Sequence, residues 1–425
     1  MSYRRYMLPI ACAALISAGT TARATEAAHT ATASVIWGER AKGKTYRIQD
    51  HVESDGLYRT YVFETGAGKF TVISDALMAR RLHEYAVFEK MQEDSGVAHF
   101  LGSFGSSAIA PLRFGGQLLT SPLETTKQSF QGVGNFFDSL SASGENKDPE
   151  RGSFMGGVLG TDTARRELAA QAKVDPFTDF APLSNRLQEL AAARGMGGLS
   201  MSGAMMAIPG GAALPSLTAN TTRTVVYTAS SAASAQALQD ALRNKTAGQI
   251  IRDTKEKLSG LASAKVIEAF TDNRNFTPTD IYVIALALER IKASNTELFL
   301  QKCASVQERT SAYLRRRQAE MYAGLHRNLP IARFTESNGY LLTQLKDKRM
   351  LLAMPADHFL WTDRNKQDFV ELRDALRDQM TDKPTKPGKD KMVVITGEFS
   401  PMAKTELNKL NWETARISLT ELLSQ

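Results

Sequence analysis

A chain of 425 residues, 43% hydrophobic and 23% charged, has the composition of an ordinary globular protein and length enough for two or three domains that each bury a core. A net charge of +7 is mild for this length and excludes a dedicated nucleic-acid-binding surface. Two cysteines, Cys12 and Cys303, exclude a disulfide scaffold.

The first predicted element is a leader. Arg4 and Arg5 form a positive start, Met7 to Ile16 a short apolar run, and Ala22-Arg23-Ala24 a small-residue cleavage site. The apolar run is too short for a stable bilayer anchor. The expectation is a signal peptide over residues 1–24 and export to the periplasm or exterior of a bacterial cell, by the general or the twin-arginine route. Cleavage would remove Cys12 and leave Cys303 as the single thiol.

Four units are expected after the leader: a small β-sheet plus helix (25–95), a Gly/Ser/Phe-rich segment and loop (96–160), a helical domain (161–328) and a small α/β domain (329–425). In the first, strands are predicted at 34–37, 44–48, 57–63 and 69–73. Gly38, Gly43, Ser54-Asp55-Gly56 and Gly66-Ala67-Gly68 separate them, which suits a small antiparallel sheet. Gly66-Ala67-Gly68-Lys69 lacks the frame of a phosphate loop, since Phe70 stands where a magnesium-binding hydroxyl belongs, so a hairpin turn is expected. A helix follows from Ser74 or Asp75. Met78, Leu82, Tyr85, Phe88 and Met91 form its buried stripe, with Arg80, Arg81, Glu84 and Glu89 on other faces.

Residues 96–160 are poor in charge before Glu145. Phe130, Val133, Phe136, Phe137 and Leu140 fall on one face of an amphipathic stretch, the preferred candidate for contact with a membrane surface or a partner's groove. The competing expectation is that this face packs on the protein's own helices. A polar loop follows at 141–151.

Helices are predicted at 163–173 and 179–194, then a Met- and Gly-rich stretch at 195–215 and a helical tract from about Ser230. The clearest helix starts with Thr277 as cap, Pro278 at the first position and Asp280 three residues after the cap. Ile281, Ile284, Leu288 and Ile291 form its stripe. Past Asn295-Thr296-Glu297, a second long helix is expected to run antiparallel to it as far as His326, whose charged form would suit the helix dipole. Arg315-Arg316-Arg317 reads as a solvated face of that helix. Cys303, between Phe299 and Val306, reads as a buried, inert thiol.

The last unit carries predicted strands at 340–342, 350–354, 392–396 and 412–417. A helix is predicted at 369–380, a linker at 383–389, and a second helix opened by Ser400 and Pro401. Strand, turn, helix, strand implies some parallel pairing. The whole reads as α+β, mostly helical.

Asp357-His358, with Trp361 and Asp363 close by, is the densest polar and aromatic cluster, and it follows a predicted strand. The Gly397–Ser400 turn precedes a helix N-terminus, where an anion can sit. No cofactor or metal motif accompanies them. The expected function is therefore binding or assembly in the cell envelope, through a partner protein or a membrane surface and without nucleic acid. The alternative is an exported hydrolase whose site draws on Asp357, His358, Asp363 and Ser400. The two differ in one spatial respect: a hydrolase needs Asp357, His358 and Ser400 to line one cleft.

Overall fold

The structure, a computed structural model, describes residues 25–93, 156–196, 226–229, 232–379 and 389–419. The leader, the Phe130, Val133, Phe136, Phe137 and Leu140 face, the stretch at 197–215 and residues 383–388 of the linker lie outside them.

The N-terminal unit opens with a short helix, α1 (Ala33–Trp37), and a 3-10 turn (Gly38–Ala41), where a strand is expected at 34–37. The Thr32 carbonyl accepts from the amides of Val35 and Ile36, Ala33 is fully buried, and the Trp37 ring meets Tyr61 edge-on at 5.9 Å. The buried Ala33 and the Trp37 contact hold the segment helical despite the strand preference of Val35, Ile36 and Trp37, with Val35 itself left exposed. Strands β1 (Tyr46–Ile48), β2 (Glu53–Ser54), β3 (Arg59–Thr65) and β4 (Gly68–Ile73) form an antiparallel sheet in which β3 pairs with the other three. The turn at Gly66 is a β3–β4 hairpin, tied by the Thr65 hydroxyl, which donates to the Gly68 carbonyl at 2.9 Å. Helix α2 (Asp75–Glu93) lies on this sheet, burying Met78, Leu82, Tyr85 and Met91 against Tyr61, Phe63, Phe70 and Val72.

The middle of the chain holds α3 (Gly156–Gln171), α4 (Ala181–Met196), the strand β5 (Val226–Ala229), α5 (Ala232–Asn244), α6 (Ala247–Leu258), α7 (Ala264–Thr271), α8 (Pro278–Ile291), α9 (Thr296–Ala304) and α10 (Arg309–Leu325). Helix α8 starts as its sequence requires. Asp280 N donates to Thr277 Oγ1 at 3.2 Å, and Thr277 N to Asp280 Oδ2 at 3.0 Å. The expected single helix up to His326 is instead two, α9 and α10. Asn273 ends α9 from outside by donating to the carbonyls of Cys303, Ala304 and Val306.

The C-terminal part contains β6 (Ile331–Ser337), β7 (Tyr340–Leu345), β8 (Met350–Met354), β9 (His358–Phe359), α11 (Asp363–Gln379), β10 (Lys391–Ile395), β11 (Glu398–Phe399), α12 (Pro401–Lys409) and β12 (Trp412–Leu419). Its six-stranded sheet runs β5-β12-β10-β8-β7-β6, parallel from β5 to β8 and antiparallel beyond. Alternate residues serve two cores. Leu351, Ala353, Met392, Val394, Ala415 and Ile417 pack with α8–α10, whereas Leu352, Val393 and Ile395 pack with α11 and α12. A sheet covered on both faces explains why Met392–Ile395 is apolar without alternation. With 53% helix against 21% strand among the described residues, the fold is α+β with helix dominant.

Candidate functional site at the seam of the two sheets

The N-terminal sheet meets the C-terminal unit along a seam, and the sequence-predicted site residues fall on it. Asp357 leaves β8 and buries its carboxylate, 7% exposed, against the start of α2. Oδ1 accepts from Asp75 N and Oδ2 from Arg59 N, both at 2.9 Å. A residue 282 positions away thus caps helix α2. Burial, then the neighbouring Asp75 carboxylate, pushes Asp357 well above the ordinary carboxylate range despite those two amides. Asp75 itself is held by Arg59 Nη1 at 2.5 Å and the Tyr61 hydroxyl at 2.6 Å.

His358, on β9, places Nε2 2.5 Å from Ser54 Oγ. Burial, then Arg59, lowers the ring's pKa to about 4, with Asp55 opposing. Ser54 belongs to the Ser54-Asp55-Gly56 turn, which is tied down on both sides. The Asp55 carboxylate accepts from Leu57 N and Tyr58 N, and Ser54 Oγ accepts from Gly56 N at 2.9 Å. The Gly56 carbonyl accepts from Leu360 N, and that of Leu57 from Asp357 N and His358 N. Gly56 has φ +95°, and a Cβ there would lie 2.8 Å from the Thr362 methyl, so both conformation and space demand glycine.

Ser400 is the N-cap of α12, accepting from Ala403 N at 3.0 Å while donating to Glu26 Oε2 at 2.6 Å. The same Glu26 oxygen accepts from Trp361 N at 2.6 Å, and Glu26 N donates to the Trp361 carbonyl. Exposed Asp363 opens α11 and accepts from Thr25 Oγ1 at 2.8 Å. Gly397 serves packing: a Cβ there would lie 1.7 Å from the Asp357 carbonyl oxygen. Strands β9 and β11 run side by side, pairing His358 with Glu398, so Asp357, His358 and Ser400 share a neighbourhood. Their side chains nevertheless bond three separate sets of partners and none bonds another. Sequence reasoning missed Ser54, Glu26, Arg59 and Asp75, each more than 280 residues from its seam partner. The turn signal marked Ser54 and the helix-start signal marked Asp75, but neither pointed to the seam.

A second polar assembly corrects one expectation. Arg80, Arg81 and Glu84, on the face of α2 away from its sheet, are buried, and so are Arg316 and Arg317 of the triplet read as solvated. Arg80 bridges Glu84 at 3.0 Å and Asp175 at 3.2 Å; Arg81 bridges Glu84 and, at 2.7 Å, Asp179. Arg309 joins Asp179 to Asp280, each at 2.8 Å, and Arg316 reaches Asp280 at 3.3 Å. Burial acts to raise these carboxylates. The guanidinium groups outweigh it at Glu84, Asp179 and Asp280, which move down, but not at Asp175, which moves up. Partners on other elements removed from water what the local sequence assigned to it.

His326 also departs from expectation. Burial, then Lys346 and Arg290, lowers its pKa, and its Nδ1 accepts from Ile331 N, so the ring ties the start of β6 to the end of α10 instead of placing a positive charge there. Cys303 is fully buried and its thiol is pushed up to about 12 by burial. A groove of about 490 Å³ lies elsewhere, between α6 and α8, where Lys245 pairs with Asp253 and Lys257 with Glu289. Among the described residues no His, Cys, Asp or Glu group converges as a metal site, and no helix is long and apolar enough to cross a membrane. No protein-family model matches the chain, and no curated protein or solved structure matches it either.

Proposed function

We propose that this protein is exported to the cell envelope and works there by binding or assembly, touching a partner protein or a membrane surface through the Phe130, Val133, Phe136, Phe137 and Leu140 face. The leader layout of Arg4-Arg5, apolar run and Ala22-Arg23-Ala24 supports export. The observation that favours binding over the hydrolase alternative is how the seam uses its polar groups. Asp357 caps α2, Ser400 caps α12 and binds Glu26, and Asp363 holds Thr25. Three of the four residues a hydrolase would draw on brace the platform from which a contact segment can act.

The test is flotation with anionic liposomes, together with partner retention, for the exported protein and for the Phe136→Asp/Phe137→Asp double variant. The expected result is loss of both contacts with an unchanged melting temperature. Unchanged flotation and retention in a folded double variant removes this face from the function. Recovery of the intact Met1 terminus from the cytosol overturns export.

A further inference from the structure

The Ser54–His358 contact is the one seam interaction that braces nothing by itself. The turn that carries Ser54 is already fixed by the Asp55 carboxylate and by three backbone bonds from Leu360, Asp357 and His358. The hydroxyl and the imidazole are therefore held face to face by the scaffold around them, as a nucleophile and base must be before any substrate arrives. With the ring proton on Nδ1, Nε2 offers its lone pair to the Ser54 hydroxyl at 2.5 Å. Gly56 N donates to the same oxygen and favours its more anionic form. Ser54 is half-buried whereas His358 is 8% exposed, so the base is the more sheltered of the pair.

We propose that Ser54 is an acyl-accepting nucleophile, with His358 as its general base and small activated esters as the substrate class. Ser54 Oγ bonds to the carbonyl carbon as its proton passes to His358 Nε2. The bond from that carbon to the leaving oxygen then breaks, and His358 returns the proton to the departing alcohol. Ser54 is left as an O-acyl ester and no electrons change hands. This activity is additional to the binding role and does not depend on it. Groups acting on the ring come from three sides: Arg59 on β3, Asp55 in the turn and His29 in the N-terminal segment. Burial, Arg59 and His29 outweigh the opposing Asp55 carboxylate and keep the ring neutral throughout the physiological range.

The test treats the full chain with p-nitrophenyl acetate, follows p-nitrophenolate release, and locates acetyl groups by peptide mass spectrometry. Acetylation of Ser54 is expected, slowed about 100-fold in His358→Gln, the lower end of what a general base contributes. Its rate in the unmodified protein should stay level from about pH 5 to pH 8, because the base titrates below that window. A folded wild-type protein without acetyl on Ser54 overturns the proposal. So does an equal rate in a folded His358→Gln variant. If that variant does not fold, the pH profile decides: a rate that rises through the ordinary histidine pKa excludes His358 as the base.

Discussion

Helix α2 is held by polar groups at two places that solve the same problem differently. At its N-terminus, buried Asp357 receives two backbone amides and lies near a second carboxylate; along its body, buried Glu84 receives guanidinium groups. Asp357 moves far above the ordinary carboxylate range and Glu84 moves below it, although both are removed from water. Amide dipoles at one end do not outweigh burial plus a like charge, whereas full positive charges do. Asp175 marks the boundary. It has Arg80 at 3.2 Å, the Thr279 hydroxyl and one amide, and burial still prevails.

Breaking the charged assembly should have the largest effect. Asp280→Ala leaves Arg309 and Arg316 each short of a buried partner, and roughly 3–5 kcal/mol of stability should disappear in urea unfolding. Gly397→Ala attacks the seam by shape alone. Its Cβ meets the Asp357 backbone, which cannot swing aside like a side chain, so a loss of roughly 1–3 kcal/mol is expected. A variant as stable as the parent would show that β9 and β11 can separate freely.

Asp357→Asn should cost about 1–3 kcal/mol, because an amide cannot accept from both Arg59 N and Asp75 N. Its pH dependence sharpens the comparison. Asp280 is lowered in the folded state, so the stability it contributes is present above its unfolded value, about 3.9, and is lost as pH falls through the folded value. Asp357 is raised, so its contribution is full below that unfolded value and is lost as pH rises through the folded one. The damage from Asp280→Asn should therefore shrink on acidification, and that from Asp357→Asn should grow. Parallel curves in urea titrations at several pH values would refute the contrast. The smallest effect belongs to Glu26→Gln, which weakens bonds from Trp361 N and the Ser400 hydroxyl, about 1 kcal/mol by thermal unfolding.

What the sequence revealed was local. The Thr277 cap, Pro278 and Asp280 announced α8 because the capping pairs lie within three residues of each other. The apolar run Met392–Ile395 announced a strand for the same reason. Strand β6 is not legible in sequence because Ile331–Ser337 mixes polar and apolar residues and is completed by Ser294, a residue far back in the chain. Arg316 reads as solvent-facing from sequence because its partner Asp280 lies 36 positions away. Gly397 suggested a ligand turn, whereas its reason for being glycine is the carbonyl of Asp357. At the seam, residue identity was informative and partnership was not. His358 drew notice as a histidine among aromatics, while Ser54, 304 positions earlier, looked like any turn serine.

The seam also sets a timetable. Glu26 waits for Ser400, 374 positions later, and α2 waits for Asp357 before its first amide is capped. As the ribosome delivers the chain, the N-terminal sheet must remain without its final partner until nearly all of the polypeptide has emerged. Closing such long loops is slow, and it exposes the half-built molecule to aggregation meanwhile. A chain that completes its seam only at the end stays unlocked for most of its synthesis.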